Sequence, residues 1–312
     1  MKQAGSHLLQ SLPYLAALAV LLAAAPFAEM ALVNAVAQSL LFGAVVLLPA
    51  VLTGRMSYVD IGWPWGLAVL GVIVFSLGEA TARSAIIASL YLLAGGRMGL
   101  MALIGWRYGH FKRELPRYEY QRRRWQRRGW RERPALLFEA ATQGLANMSV
   151  LALPALLQAA NPAAALSPIE IAGYALWVFG FVFETTADWQ KQRFLRQTPH
   201  AQRRLAHCEA GLWRYSRHPN YLGEWMVWLG LTVSSLPSLI ALSAEAPWIQ
   251  SALLAAGLAY LPYLMFQVLV HYSGAVPAEF YSRQKRPGYA DYQRRVPRFF
   301  PWSKAEGRSQ SR

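Results

Sequence analysis

Residues 211–230 read GLWRYSRHPNYLGEWMVWLG, a stretch that passes from a basic loop into a run of apolar and aromatic side chains. Pro219 suits the first turn of a helix, because the amide hydrogen that proline lacks would have no partner there. Ser216 or His218 can cap such a helix. Apolar residues then continue to position 242, which is about the length that crosses a bilayer. The stretch therefore predicts a membrane helix whose N-terminus faces a basic surface.

Other apolar runs of similar length surround this segment. The eight runs are 10–28, 32–53, 62–79, 84–105, 135–158, 168–187, 219–242 and 247–271. The third is short and carries Pro64, so seven spans with a re-entrant third segment are the alternative. Hydrophobic residues make up 55% of the chain, more than a soluble domain of this length would hold. We therefore predict an all-α fold, a polytopic transmembrane helical bundle with 7–8 spans.

The basic residues are concentrated in three segments between the apolar runs. Residues 106–133, 188–218 and 273–312 hold 27 of the 31 lysines and arginines. An even number of predicted spans separates these segments, so all three lie on one side, which the positive-inside rule makes the cytoplasm. Because the net charge of +15 is confined to these loops, it indicates membrane orientation and not nucleic-acid binding. The partner that the pattern predicts is the lipid bilayer, with no obligate protein partner evident.

The start of the helix at Pro219 combines several features of an anion site. Free amide groups and the positive end of a helix attract phosphate, and Arg214 and Arg217 lie just before it. Asn220 and Glu224 are spaced by four, so they share one helix face with Trp228. A carboxylate one turn inside a membrane helix is a functional candidate by default. The alternative is a structural Glu224, paired with a loop arginine.

A second polar face combines Glu184, Asp188 and Gln192, again spaced by four, at the basic end of the sixth run. These acids could bind ribose hydroxyls or an amide, or they could form interfacial ion pairs. The tail over residues 279–302, EFYSRQKRPGYADYQRRVPRFFPW, interleaves aromatic and basic residues. It predicts either an amphipathic helix on the headgroups or a lid that closes over a nucleotide.

Two further candidates lie on other segments. Asp60, in SYVDIGWPWG, is expected to be an isolated carboxyl at membrane depth, which needs a functional reason. Tyr263 belongs to a polar stripe on the last run. The sequence excludes a Rossmann dinucleotide site, because no two glycines are two residues apart as G-x-G-x-x-G requires. We expect no metal site, since Cys208 is the only cysteine and no metal-ligand spacing occurs.

The run from Gly211 to Glu224 resembles the signature of bacterial membrane proteins with a DUF1295 domain, which belong to the steroid 5-alpha-reductase-like superfamily. The SYVDIGW stretch, the stretch from Glu184 to Gln192 and the tail support this resemblance, which covers about residues 55–302. It implies a reductase-like membrane domain over 55–302, preceded by N-terminal transmembrane helices over 1–54. The polar residues beyond Trp302 predict a disordered tail over 303–312. The resemblance also implies a location in the bacterial inner membrane.

The resemblance implies that NADPH binds from the cytoplasmic side and passes hydride to an enone-type, lipid or steroid-like substrate. The expected catalytic residues are Asp60, Glu224 and Tyr263. The expected cofactor-binding residues are Arg107, Glu184, Asp188, Arg214, Arg217, His218, Asn220, Tyr221, Glu224, Tyr281, Arg286 and Tyr292. The alternative is methyl transfer from S-adenosylmethionine, because isoprenylcysteine carboxyl and phospholipid methyltransferases share an Arg-His-Pro-x-Tyr-x-Gly motif. Asn220 and the Gly-Glu-Trp sequence favour the reductase.

Overall fold

The computed structural model describes residues 2–303, without the side chains of residues 2–4, 6 and 8. Over this range the chain is helical and contains no strand, which confirms the all-α class. The α-helices are α1 Lys2–Ala23, α2 Ala28–Phe42, α3 Leu48–Thr53, α4 Val59–Leu77, α5 Ala82–Arg107, α6 Pro116–Arg127, α7 Glu132–Met148, α8 Leu153–Ala159, α9 Pro168–Gln197, α10 Pro219–Ser243, α11 Trp248–Phe266, α12 Ala275–Lys285 and α13 Tyr289–Arg295. Residues 304–312 of the tail predicted to be disordered lie outside the described range.

Seven helical stretches among the described residues are long and apolar enough to cross a membrane. They are Ala28–Thr53, Val59–Leu77, Ala82–Arg107, Glu132–Ala159, Pro168–Gln197, Pro219–Ser243 and Trp248–Lys285. These stretches correspond to the second to eighth predicted runs, whereas the apolar part of α1, Leu9–Ala23, is shorter. The third run is one continuous helix despite Pro64, which favours a span there over a re-entrant segment.

Three helix boundaries differ from the predicted runs. The fifth run is broken, because α7 ends at Met148 and α8 begins at Leu153. The helix of the sixth run, α9, continues ten residues beyond the predicted end and stops at Gln197. Part of the basic segment 188–218 is therefore helical. The last run passes through a π-helix, Gln267–Tyr272, before α12. The helices continue into polar residues that the predicted runs leave out, because a hydropathy pattern detects only the part of a helix that is apolar enough to lie in lipid.

The described chain divides into two compact units, of which the first comprises residues 1–172 and 232–261. A buried network of amide side chains joins α2, α4 and α7 in this unit. The Gln38 Nε2 group donates to Asn34 Oδ1 at 3.0 Å and to the Gly66 carbonyl at 2.8 Å. The Asn147 Nδ2 group donates to the Trp63 carbonyl at 2.9 Å. Such polar contacts hold membrane helices together where lipid offers no hydrophobic driving force.

The second unit comprises residues 173–231 and 262–312, described as far as Ser303. Within it, α9 and α10 approach closely at glycines. A Cβ atom on Gly223 would lie 2.6 Å from the Glu184 backbone nitrogen, and one on Gly230 would lie 2.6 Å from that of Trp177. Because only glycine allows this approach, the crossing places the polar face of α9 beside the first turns of α10.

The loop before α10 is fixed from two sides within the second unit. On one side, the Leu212 amide donates to Gln190 Oε1 at 2.8 Å, and Trp213 Nε1 donates to the Ala187 carbonyl at 2.9 Å. On the other, the Tyr292 hydroxyl of α13 donates to the Trp213 carbonyl at 2.5 Å. The C-terminal segment therefore packs on this loop.

Candidate active site

The helix predicted from the opening stretch begins where its sequence indicates. Pro219 is the first residue of α10, and the Ser216 hydroxyl accepts a hydrogen bond from the His218 amide at 3.2 Å. Arg214 lies two residues before Ser216, and its exposed side chain makes no hydrogen bond within residues 2–303. The first turn of α10 thus retains the amide groups and the nearby cation that an anion site needs.

A hydrogen bond joins the two polar faces that the sequence predicts separately. Asn220 Nδ2 on α10 donates to Asp188 Oδ1 on α9 at 3.1 Å. The other amide atom, Asn220 Oδ1, is buried and has no hydrogen-bond partner in the described part of the chain. A buried acceptor without a partner is costly, and most native ones are satisfied by protein, water or ligand. A donor on a bound ligand would satisfy this atom.

Glu224 is a buried carboxylate one turn further into α10, with 7% of its surface exposed. Its Oε1 atom accepts from Trp228 Nε1 at 2.8 Å. Within residues 2–303 it forms no ion pair with Arg214 or Arg217, so the structural alternative in which Glu224 neutralises a loop arginine is wrong. Glu184 is also buried, across the close contact at Gly223.

Arg217 and His218 are both engaged by Glu279, which the sequence analysis did not single out. Arg217 Nε and Nη2 donate to the two Glu279 carboxylate oxygens at 2.7 and 3.1 Å, and His218 Nε2 lies 3.1 Å from Oε1. Gln293 and Arg298 donate to Oε2 at 3.0 and 3.1 Å. Both residues thus anchor the start of α10, and their predicted cofactor contacts stay predictions. Glu279 was discoverable as an acid in a basic, aromatic tail.

Burial also shifts the protonation of groups in the loop and the tail. It lowers the pKa of His218, against the raising effect of the hydrogen bond to Glu279, so the imidazole is neutral near pH 7. Burial likewise lowers the pKa of the Arg286 guanidinium. It raises the pKa of Tyr292, which keeps its hydroxyl protonated as the donor to the Trp213 carbonyl.

The aromatic residues predicted to bind cofactor occupy different environments. The Tyr221 ring stacks on the His218 imidazole, with centroids 5.3 Å apart. Tyr292 is 1% exposed and holds the tail against the loop. Tyr281, on α12, is half-buried and lies under the Lys285 ammonium, 5.7 Å from the ring centroid. The cofactor roles of these three residues stay predictions.

Asp60 and Arg107 belong to the first unit, whereas the other predicted site residues belong to the second. The expectation that Asp60 is isolated is wrong. Its carboxylate accepts from the Tyr118 hydroxyl at 2.5 Å and pairs with Arg117 at 3.3 Å, because the basic segment folds back as α6. Arg107 is exposed at the end of α5. Tyr263, in the second unit, is 58% exposed on α11.

A protein-family model matches most of the chain. The family described as "Protein of unknown function (DUF1295)" matches residues 46–296, a range that includes the loop before α10, the Asn220–Asp188 contact and Glu279. No curated protein and no solved structure matches the chain. Because the match covers most of the sequence, the chain belongs to the DUF1295 family.

Proposed function

We propose that this protein is an NADPH-dependent membrane reductase that transfers hydride to the C=C bond of an enone-type, lipophilic substrate. The observation that carries the proposal is the Asn220–Asp188 hydrogen bond, which leaves Asn220 Oδ1 buried and without a partner among the described residues. The resemblance to steroid 5-alpha-reductase-like proteins supports the assignment of NADPH.

The residues of this region suit a dinucleotide with an amide at one end and phosphates along its length. Asp188 fixes the Asn220 side chain so that its Oδ1 atom can accept from the amide of the nicotinamide. Trp228 holds Glu224 through one carboxylate oxygen and leaves the second available. Glu184 adds a further acceptor. Bound NADPH supplies a hydride, which must be placed against the acceptor carbon.

The cationic residues supply the phosphate-binding part of the proposed site. Arg214 and the first amides of α10 offer charge-assisted donors to a diphosphate. Arg217 and His218 keep that helix end in place through Glu279. Tyr221 and Tyr281 supply aromatic surface, whereas the buried Tyr292 holds the tail against the loop. Arg107 stays a separate proposed cofactor ligand.

Reduction of an enone adds hydride to the β-carbon and a proton to the α-carbon, with an enolate between the two events. An acid near the substrate oxygen stabilises the developing negative charge. We keep Asp60 and Tyr263 as the proposed acids; Asp60, which pairs with Arg117 and accepts from Tyr118, would donate a proton only after it is itself protonated. The positive-inside pattern supports a site that faces the cytoplasm, and the resemblance to bacterial membrane proteins supports the bacterial inner membrane as its location.

Calorimetry on detergent-solubilised protein with NADPH, NADH and S-adenosylmethionine tests this proposal. We expect NADPH to bind with the highest affinity and Asn220→Ala to weaken it by about tenfold or more, the equivalent of a lost hydrogen bond to a buried group. Gln202→Ala, in an exposed loop, is the matched control. Binding of S-adenosylmethionine without binding of NADPH would replace the proposal with the methyltransferase.

A further inference from the structure

A groove with a volume of about 380 Å³ lies between α2, α3, α4 and α5 of the first unit. Leu41, Val45 and Pro49, spaced by four, line one wall, and Ile61 and Leu103 line the others. The first wall passes through the one-turn π-helix that joins α2 to α3, and such turns occur frequently at functional sites. The size and the largely apolar lining are typical of a cavity that holds a small molecule.

The groove has the depth of about one leaflet of a bilayer. Twelve residues separate Leu41 from Thr53, where α3 ends, which corresponds to about 18 Å along a helix. The hydrocarbon core of a bilayer is about 30 Å thick. At its other end the groove is lined by Trp106, in the last turn of α5 and at the start of the basic segment 106–133. The groove therefore belongs to the leaflet on the basic side.

Three hydrogen-bond donors line this otherwise apolar groove. The Tyr58 hydroxyl and the Trp106 indole make no hydrogen bond within residues 2–303. Trp65 Nε1 is buried and also has no partner in the described part of the chain. A donor without an acceptor is costly in lipid, and an acyl chain offers no acceptor. A molecule that combines an apolar chain with several acceptor oxygens would therefore suit the groove.

Two cations lie beside the Tyr58 end of the groove. The Phe111 ring packs edge-on against Tyr58 with centroids 6.1 Å apart, and its carbonyl accepts from Arg55 Nη1 at 2.6 Å. Lys112 follows Phe111 directly and is exposed. Neither cation forms an ion pair within residues 2–303, and the nearby Glu114 is already paired with another arginine. The polar end of the groove is thus complementary to a negative charge.

We propose that this groove binds one anionic phospholipid from the leaflet on the basic side, with an acyl chain along the groove and the phosphate at Arg55 and Lys112. An acyl chain gains little by leaving the bilayer for an apolar groove, because lipid tails are equally apolar. Selection therefore depends on the polar end, where the aromatic donors meet ester and phosphate oxygens and the cations attract an anionic headgroup. The site is independent of the proposed reductase function.

Native mass spectrometry of the solubilised, delipidated full chain tests the charge selectivity of the groove. Phosphatidylglycerol and phosphatidylcholine with identical acyl chains are the probes. We expect phosphatidylglycerol to bind with about tenfold higher affinity or more, the scale that two cations near an anionic headgroup can supply. The double variant Arg55→Gln/Lys112→Gln should reduce this preference to within about twofold.

The matched control is Arg127→Gln/Arg133→Gln, which removes two exposed cations from the same basic segment. It should leave the preference unchanged. An equal loss in both double variants would assign the preference to general attraction by the basic segment and would overturn the site. Equal affinity of the unchanged protein for the two lipids would overturn it as well.

Filling the groove tests where the lipid lies. Leu103→Trp should lower the affinity for phosphatidylglycerol by about tenfold or more, whereas Leu93→Trp, at an exposed position of the same helix, should not change it. Retention of the lipid by a folded Leu103→Trp protein would place the lipid elsewhere. If that variant does not fold, the charge variants decide alone.

Competition separates a membrane lipid from the lipophilic substrate of the proposed reductase. A saturating lipophilic cyclic enone should leave the bound phosphatidylglycerol in place. Displacement of the lipid by the enone would assign the groove to the substrate and overturn the lipid site. Failure of the protein to bind NADPH would refute the proposed function without changing any of these outcomes.

Discussion

Arg217 and Glu279 form a bidentate ion pair, with bonds of 2.7 Å from Nε to Oε1 and 3.1 Å from Nη2 to Oε2. Their side chains are 0% and 4% exposed. Arg217 lies two residues before α10, and Glu279 lies on α12, 62 positions later in the chain. The pair therefore ties the C-terminal segment to the helix start that carries Asn220.

Removing the charge of Glu279 should destabilise the second unit. Glu279→Gln leaves the buried Arg217 without its counter-ion, and breaking a buried pair in this way costs about 3–5 kcal/mol. Thermal unfolding of the solubilised protein measures the change. Asp291→Asn is the control, because Asp291 pairs with Arg294 at the exposed surface, where ion pairs contribute about 0–1 kcal/mol. Similar melting temperatures for the two variants would contradict a stabilising role of the buried pair.

The depressed pKa of His218 predicts a loss of stability in acid. The unfolded chain takes up a proton on this residue below its ordinary pKa of 6.5, whereas the folded protein resists protonation. The contribution of His218 is therefore complete above pH 6.5 and falls as the pH drops through that value. His218→Gln should flatten the dependence of the melting temperature on pH between about 7.5 and about 5.5. His200→Gln, in an exposed loop, is the control. An equally steep decline in His218→Gln would rule His218 out as its source.

Local signals in the sequence were sufficient for the long apolar helices and for part of the candidate site. Hydropathy located the apolar part of each long helix, because the suitability of a segment for lipid depends only on the residues of that segment. Proline and the spacing by four placed the start of α10 and the faces of Asn220 and Asp188. Their mutual hydrogen bond needed only that both faces lie at the same end of adjacent helices.

Contacts between distant positions could not be predicted from one sequence. Asp60 is held by Tyr118, 58 positions away, so the apparently isolated carboxyl of the sequence is a partnered one in the structure. Glu279 accepts hydrogen bonds from the loop before α10 and from the tail; the sequence shows it as an acid in a basic tail but does not show which donors it binds. The surplus of arginines in the sequence likewise did not reveal which arginines have no carboxylate partner. That distinction depends on how the tail folds.

Cysteine labelling tests the predicted orientation. In a background with the buried Cys208 replaced by serine, Gln126→Cys and Gln202→Cys place thiols at exposed positions of two basic segments. The positive-inside rule predicts that a membrane-impermeant maleimide labels neither in intact cells and both after lysis. Ala164→Cys, in the exposed loop before α9, should label in intact cells and is the control. Labelling of Gln126→Cys from outside would reverse the orientation.

Glu224→Gln tests the proposed cofactor role of the buried carboxylate. The amide oxygen can still accept from Trp228 Nε1, and Glu224 makes no ion pair in the described chain, so the melting temperature should change little. Turnover of NADPH with a lipophilic cyclic enone should fall by about 100-fold, since small misplacements of a reacting group cost that much. Affinity for NADPH should fall as well, because one charged acceptor is lost.

The matched control for this last prediction is Glu245→Gln, which makes the same chemical change at an exposed loop position. It should alter neither stability nor NADPH binding. A second variant, Trp228→Phe, keeps a buried ring but removes the donor that holds Glu224 Oε1. It should lower turnover less than Glu224→Gln, because the carboxylate stays but moves more freely. If Glu224→Gln melts earlier and binds NADPH with unchanged affinity per folded molecule, then Glu224 serves the fold and the cofactor role is refuted.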